Sequence, residues 1–560
     1  MRGDNVKKLD FISAFLIFSL CAVGLFHEFV ACIAGLVLVV YLGIYICRNK
    51  SLKIYFNLCF ISVLLIVLSY GISVFWALDH GVAVIGFFKF LPLLIFLIVI
   101  MQQQEKTEDY FKILPYVASA MTIISTILMQ IPTLTKWFSV SGRLSGFFQY
   151  SNTFAVFLLI ALIITATKEK YTKTDFFFIP IILFGIMYSG SRTVFALMLV
   201  SVFVIIILNK NKKFKIILLT ATVTIISVAL IYALLTDNFR TIGRFLTVSL
   251  QESTFVGRLL YFRDAFPVIL RHPFGMGYMG YYYYQHSIQT GVYTVKFIHN
   301  DFLQLLLDIG WIPVIIFVVA ILKPFFKKGT SLQKRLLLFV ISAHSCFDFD
   351  FQYLAIFMIF ILLLDYKDGK EKQININTIL SISVTSVISI LFAYIGLAQA
   401  LTYFMQYDLS DKIYPWNTQN HIEMLANSQD LTENEEIADK VIENNGHVAI
   451  AYDVKSKLAY SKGDFAGVIE YKEKAIEVSP FTYKTYEDYC YMLINGIYLY
   501  EKVDDEYSAD VCKKELIKTV AILKLNTQRL SQLGRLIDDQ PTTKLPDDII
   551  KYVEALNYEK

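Results

Sequence analysis

Apolar runs long enough to cross about 30 Å of hydrocarbon recur from Phe11 to Tyr394, whereas the chain after about Thr402 reads as an ordinary soluble sequence. The change of pattern divides the chain into a membrane part, 1–400, and a helical tail, 401–560. By the length rule the spans fall near 11–26, 29–47, 54–76, 81–101, 113–131, 152–167, 175–190, 192–208, 216–235, 301–322, 333–347, 351–365 and 376–398, about thirteen in all. An all-α, polytopic bundle is expected, carrying one large loop over 236–300.

Charge sorts the connections into two sets. Arg48, Lys50 and Lys53, then Lys106 and Lys112, Lys168 to Lys173, Lys210 to Lys215, Lys323 to Arg335 and Lys367 to Lys372 occupy alternate connections, as cytoplasmic loops do. The other set, Asp79–His80, 133–150, Ser189–Ser191, 236–300 and His344–Asp350, then faces outward. This puts the N-terminus in the cytoplasm and the tail outside a cell membrane. The first run follows Arg2, Lys7 and Lys8 without a small-residue cleavage site, so it reads as a retained anchor. The pair 333–347 and 351–365 is short for two crossings, and one kinked span would reverse everything after it. Lysines on both flanks favour a hairpin, whose polar turn is tolerated if it lines a cavity walled by protein.

Composition agrees with this division. Hydrophobic residues make up 56% of the chain and charged ones 18%, against about 25% charge in soluble domains. Residues 401–560 hold 18 Lys and Arg against 28 Asp and Glu, which leaves 33 against 19 before them, so the two parts carry −10 and +14. A basic membrane part fits anionic lipid and phosphate, and nothing in it resembles a nucleic-acid module. The seven cysteines show no metal-ligand spacing; Cys21, Cys32, Cys47 and Cys59 read as packing, and only Cys490 and Cys512 suggest a pair.

Helical periodicity governs the tail from about 418. Ala459-Tyr460-Ser461-Lys462-Gly463-Asp464-Phe465, with Tyr471, Ala475 and Pro480, resembles a tetratricopeptide repeat. Its glycine permits close helix approach, its small and aromatic residues pack between helices, and its proline ends the second helix.

Basic side chains are used differently on the two sides. The cytoplasmic loops are mostly lysine, while the outward side holds Arg143, Arg192, Arg240, Arg244, Arg258, Arg263 and Arg271. The planar fork of arginine grips phosphate oxygens in pairs and stays charged, so outward arginines beside a bilayer point to a diphosphate site. Arg240 and Arg244 read instead as headgroup anchors. All eight histidines fall outside by this topology, and His299 stands apart because it closes the long loop where a helix enters the membrane, a position suited to proton transfer. Lys89, inside the fourth span, is a costly charge with a candidate substrate-facing role. Asp348 and Asp350 have a spacing that can hold a divalent ion, but no further carboxylates group with them and no metal is expected. The run Tyr281 to Tyr284 and Tyr293 suits an interfacial aromatic belt or stacking on sugars.

Residues 254–314 contain Gly257-Arg258, Tyr261, His272-Pro273, Gly275-Met276-Gly277, His299-Asn300-Asp301-Phe302-Leu303-Gln304 and Asp308-Ile309-Gly310-Trp311. Together they resemble the signature region of the O-antigen ligase and polymerase family. Gly142-Arg143-Leu144-Ser145-Gly146 with Asn152, and Ser191-Arg192, support the resemblance upstream; His344-Ser345 and Asp348-Phe349-Asp350 resemble the turn that follows the signature loop. The likeness covers roughly 50–400.

The resemblance implies a membrane-embedded glycosyltransferase of GT-C-like architecture, independent of metal or other cofactor, that uses an undecaprenyl-pyrophosphate-linked glycan outside the cell. On matching positions Arg192 and Arg258 would hold the donor diphosphate and His299 would activate the acceptor hydroxyl. Arg143, Asn152, Lys89, Tyr261, Asn300, Asp348 and Asp350 are the further substrate-contact candidates. The acceptor, whether glycan, lipid or protein, stays open, as does a protein partner for the tail. A lipid-linked glycan flippase would also be apolar and basic, but it needs ionisable residues through the bilayer interior, where this chain has few besides Lys89. An adaptor on a membrane anchor would not need so many spans.

Overall fold

Apolar runs become helices where a short polar side chain is on hand to satisfy the first amides. The structure, a computed structural model, describes residues 10–104, 107–168, 170–208, 212–236, 253–428 and 430–558. Arg2, Lys7, Lys8, Lys106, Lys210, Arg240 and Arg244 lie outside the described residues.

The first helices are α1 (Phe11–Cys21), α2 (Glu28–Asn49), α3 (Leu58–Ser73), α4 (His80–Gln102), α5 (Leu114–Leu128), α6 (Ser151–Ala166), α7 (Lys173–Ser189), α8 (Arg192–Leu208) and α9 (Lys212–Thr236). Asp10, Asn57 and Asp79 cap α1, α3 and α4 through their side chains, and Thr172 with Asp175 forms a capping box on α7. The large loop is itself helical, with α10 (Ser253–Arg271) and α11 (Gly280–Ile288), and leads into α12 (Asp301–Ile309), α13 (Trp311–Phe326), α14 (Leu332–Ser345), α15 (Leu354–Leu363) and α16 (Thr378–Tyr403).

Among the described residues, four helices are long and apolar enough to cross a membrane: Glu28–Asn49, His80–Gln102, Thr107–Leu128 and Thr378–Tyr403. Seven further apolar helices are shorter. The expected count of about thirteen is thus not met by length, and backbone breaks are one physical reason. The run 11–26 stops at Cys21 because Val23, Gly24 and Leu25 all take positive φ, packing Gly24 beneath Phe148 and Tyr353. The run 301–322 breaks at Gly310, whose φ is +81° and where a Cβ would sit 2.3 Å from the Pro273 carbonyl oxygen.

The two sets of connections separate onto opposite ends of the helices. At one end Gln102 Nε2 donates to the Lys53 carbonyl at 2.9 Å, Asn57 Nδ2 to that of Tyr366 at 2.8 Å and Lys367 Nζ to that of Gln103 at 2.6 Å. Lys334 meets Asp365 at 2.6 Å, so both outer ends of the α14–α15 pair lie here and the expected hairpin is present. The lysine-rich connections are also joined by strands, an element absent from the sequence reading: β1 (Ser51–Tyr55) pairs antiparallel with β4 (Glu371–Asn375), Ser51 opposite Asn375. A second, two-residue pairing joins β2 (Ser139–Val140) to β3 (Arg143–Leu144) at the other end. The fold is otherwise all-α.

Helices α2 and α16 pack side by side with glycines at the contact. A Cβ on Gly35 would sit 2.4 Å from Phe392 Cε1, and one on Gly43 2.6 Å from Thr385 Oγ1. Helix α16 thereby mounts the tail, formed by α17 (Tyr407–Ile413), α18 (Thr418–Asn427), α19 (Leu431–Asn444), α20 (Ala449–Ser461), α21 (Phe465–Val478), α22 (Tyr483–Lys502), α23 (Glu506–Arg529) and α24 (Asp547–Tyr558). The expected hairpin is α20–α21, turned at Gly463 with φ +72°. Pro480 follows it, and its carbonyl accepts from Tyr486 Oη at 2.9 Å. Cys490 and Cys512 are both buried and free. The tail rests on the end of the bundle opposite the lysines: Asn445 Nδ2 donates to Asp79 Oδ2 at 3.2 Å and Tyr414 Oη to the Gly81 carbonyl at 2.8 Å.

Candidate active site

The glycines of the long loop are there to let backbone meet backbone. Met276 N donates to the Leu307 carbonyl at 2.7 Å, Gly277 N to that of Asp308 at 3.0 Å and Trp311 N to that of Pro273 at 3.0 Å, while Leu78 N reaches the Met276 carbonyl at 3.0 Å. A Cβ on Gly275 would lie 2.4 Å from the Asp308 oxygen, so no other residue fits this stitch at φ +78°. The stitch ties the segment after α10 to α12 and the end of α3, and thereby fixes the loop that ends in His299.

His299 itself has φ +54°, a left-handed conformation that costs a non-glycine residue energy and is kept where surroundings impose it. What imposes it is the next residue. Asn300 Oδ1 accepts from Leu303 N at 3.0 Å, capping α12, and Asn300 Nδ2 donates to the Cys346 carbonyl at 2.9 Å, latching the loop to the turn between α14 and α15.

That turn delivers Asp348, the centre of the polar cluster. Its carboxylate accepts from Tyr150 Oη at 2.8 Å and Asn152 Nδ2 at 2.7 Å, lies 3.3 Å from His299 Nδ1 and 3.5 Å from Arg258 Nη2. Burial pushes the Asp348 carboxyl up, but the hydrogen bond and charge of His299, then Arg258 and His344, outweigh it and hold it well below the usual carboxylate range. Burial and the same carboxylate push the Tyr150 hydroxyl far above its ordinary value, so it stays a donor. Phe349 packs between the two, 5.0 Å from the His299 ring and stacked 4.8 Å from that of Tyr150.

On the other side of Asn152 lies a cavity of about 110 Å³ lined by Arg143, Asn152, Gly190, Ser191, Arg192, Thr193, Thr254 and Arg258. Three guanidinium groups and no carboxylate line it. Arg143 is oriented by Nε donating to the Ser189 carbonyl at 2.7 Å and Nη2 to Asn152 Oδ1 at 2.6 Å. Arg192 begins α8 just after the turn at Gly190, which has φ +61°, and its Nη2 stands 3.5 Å from Thr254 Oγ1. Such a lining suits an anion with several oxygens.

The structure therefore brings Arg143, Asn152, Arg192, Arg258, His299 and Asp348 together. It places the other candidates differently. Asp350 is fully buried, accepts from Thr153 Oγ1 at 2.9 Å and meets His344 Nδ1 at 2.5 Å, so it braces the α14–α15 turn. Neither aspartate lines the cavity, and they face different partners. Tyr261 lies beside Tyr293, ring centroids 4.6 Å apart, and 6.4 Å from the His299 ring. Lys89 is completely buried and apart from the cavity: its Nζ donates to Tyr278 Oη at 3.0 Å and stands 3.6 Å from Glu28, which also accepts from Tyr278 at 2.6 Å. Of the outward arginines, Arg263 and Arg271 remain exposed on α10.

Sequence reasoning missed Tyr150, Thr254 and Glu28. Glu28 had a signal, a carboxylate at the mouth of one span matching a lysine inside another. Tyr150 had none, being one of 35 tyrosines.

Residues 177–318 match the family model described as O-antigen ligase. Over this stretch the chain is similar to the O-antigen ligase family. No curated protein and no solved structure matches it. The ligase stretch contains Arg192, Arg258, Tyr261, His299 and Asn300, whereas Arg143, Asn152 and Asp348, which complete the cluster in space, lie outside it. The match implies chemistry of the ligase and polymerase type of glycosyltransferase, and the four long apolar helices among the described residues suit an integral membrane protein.

Proposed function

We propose that the protein transfers a glycan from an undecaprenyl-pyrophosphate-linked donor to an acceptor hydroxyl at the outer face of the cell membrane, in the synthesis of a surface polysaccharide. The observation that carries this reading is the pairing of an arginine-lined cavity with a carboxylate-held histidine through one residue, Asp348. The donor diphosphate occupies the cavity, gripped by Arg192 and Arg258 with Arg143 behind. His299 presents Nδ1 to Asp348, which leaves Nε2 to accept a proton.

The step is one displacement at the anomeric carbon. The acceptor oxygen forms the new glycosidic bond as its proton passes to His299, and the bond to the diphosphate breaks with its electron pair leaving on oxygen. The guanidiniums neutralise that growing charge, so the step requires no metal, and attack opposite the leaving group inverts the anomeric centre. The sidedness follows from the lysine-rich connections, which put the N-terminus in the cytoplasm and the cluster with its tail outside. Residues 1–400 then form the transferase, and 401–560 a tetratricopeptide-like domain offered to the acceptor or to a partner protein.

The test is transfer by the purified chain in lipid vesicles from a polyprenyl-diphosphate glycan. Loss of transfer in Arg258→Ala and His299→Ala, with normal membrane levels, supports the reading. Full activity in either variant, or cytosolic labelling of cysteines placed at 192, 258 or 299, rejects it.

A further inference from the structure

Beyond α23 the chain leaves the helical tail and doubles back over the loop that carries Arg258. Ser531 N donates to the Thr290 carbonyl at 2.9 Å. Gly534 and Gly291 meet backbone against backbone: a Cβ on Gly534 would lie 2.2 Å from the Thr290 oxygen, and one on Gly291 2.9 Å from Gly534 Cα. Ile537 closes a small apolar core with Val256, Leu260 and Tyr293.

Each of these contacts leads to α10. Asp264, buried on α10, accepts from Thr290 N and Thr290 Oγ1, both at 2.7 Å, and from Tyr293 Oη at 3.1 Å. The turn 290–293 is therefore clasped between α10 below and the tail segment above. Val256 and Leu260 sit two residues either side of Arg258, and Tyr261, one residue on from Leu260, packs on Tyr293 and faces His299. A guanidinium that must meet a diphosphate in two places is sensitive to small shifts of its helix; about 1 Å of misplacement costs on the order of a hundredfold in rate.

We propose that the tail segment 531–537 is a positioning element of the transfer site: by clamping turn 290–293 onto α10 it sets Arg258 against the donor cavity. This rests on the reading of Arg258 as a donor-binding residue. The tail thereby belongs to the donor side of the reaction as well as to whatever acceptor or partner it meets.

The experiment uses the full chain in lipid vesicles with a polyprenyl-diphosphate glycan as donor. Gly534→Val wedges the contact open, Ile537→Ala empties the small core, Ile537→Val keeps it filled, and Tyr507→Ala on the exposed tail surface is the control. The donor KM is expected to rise about tenfold in Gly534→Val and Ile537→Ala and to stay within about twofold in Ile537→Val and Tyr507→Ala. A mere loss of folded protein would lower turnover and leave KM where it was. If Gly534→Val fails to reach the membrane, Ile537→Ala decides. An unchanged donor KM there overturns the inference. Arg258→Ala is measured alongside: if it transfers normally, the function reading itself fails, and if it is dead while Ile537→Ala keeps its donor KM, only the positioning role does.

Discussion

His299 and Asp348 meet across 49 residues of sequence, Nδ1 to Oδ1 at 3.3 Å, and the same carboxylate stands 3.5 Å from Arg258. One buried anion thus sets the orientation of both His299, the proposed proton acceptor, and Arg258, the proposed diphosphate-binding residue. Replacing it by the isosteric amide in Asp348→Asn keeps the shape and removes the charge, and turnover is expected to fall about a hundredfold, as for other groups that orient a reacting histidine. Wild-type turnover in that variant would mean that His299 needs no carboxylate behind it.

The same residue makes a pH prediction. The folded Asp348 carboxyl lies well below the ordinary value, near 3.9 in the unfolded chain, so its stabilisation is fully present above about pH 4 and is lost only as pH falls further. The Tm difference between wild type and Asp348→Asn should therefore shrink as pH falls below about 4. A difference that grows as pH falls below about 4 would reverse the sign and refute the assignment.

Arginine and lysine are not equivalent in the cavity. Arg258→Lys keeps the charge but loses the planar fork, and a loss of about tenfold to a hundredfold in kcat/KM is expected, with Arg192→Lys following the same pattern. Steady-state transfer assays decide it; equal activity would make the site a point-charge anchor.

Gly275 is held at φ +78° against the Asp308 carbonyl. Gly275→Ala should cost upward of about 1–2 kcal/mol from the left-handed backbone alone, more with the clash, and lower both Tm and the amount extracted from membranes. Pro273→Ala, which keeps the accepting carbonyl for Trp311, should be milder.

Lys89 distinguishes a structural charge from a substrate contact. Its buried pairing with Glu28 predicts that Lys89→Met destabilises the chain by about 3–5 kcal/mol, the usual result of orphaning one partner, while leaving the donor KM unchanged. A raised KM at unchanged stability would restore the substrate role.

Much of the site was legible because its residues sit in short, chemically marked runs. The outward arginines and His299 stand out by residue type and position beside the bilayer, the family resemblance picks Arg192 and Arg258 from among those arginines, and the Gly275-Met276-Gly277 stitch is a local requirement of backbone geometry. The division of roles between Asp348 and Asp350 was not legible, since both carry the same side chain two positions apart and only their partners, Tyr150 and Asn152 against Thr153 and His344, tell them apart. Gly310 looked like part of a span because apolarity continues through it; the break comes from Pro273, 37 residues earlier, pressing on its Cα side. The β1–β4 pairing joins residues over 300 positions apart, in two charged connections that carry no strand pattern of their own.

That pairing, with the glycine seam between α2 and α16, has a consequence for how the protein is made. The face of α2 that receives Phe392 and Thr385 is built within the first 49 residues, yet its partner follows more than 300 residues later, after the other helices of the membrane part. Until residue 400 or so has left the ribosome that face of α2 is an empty slot in the lipid, a state in which another helix can insert. Truncations that stop short of α16 leave that slot open and should be captured by quality control rather than accumulate as a shorter membrane protein.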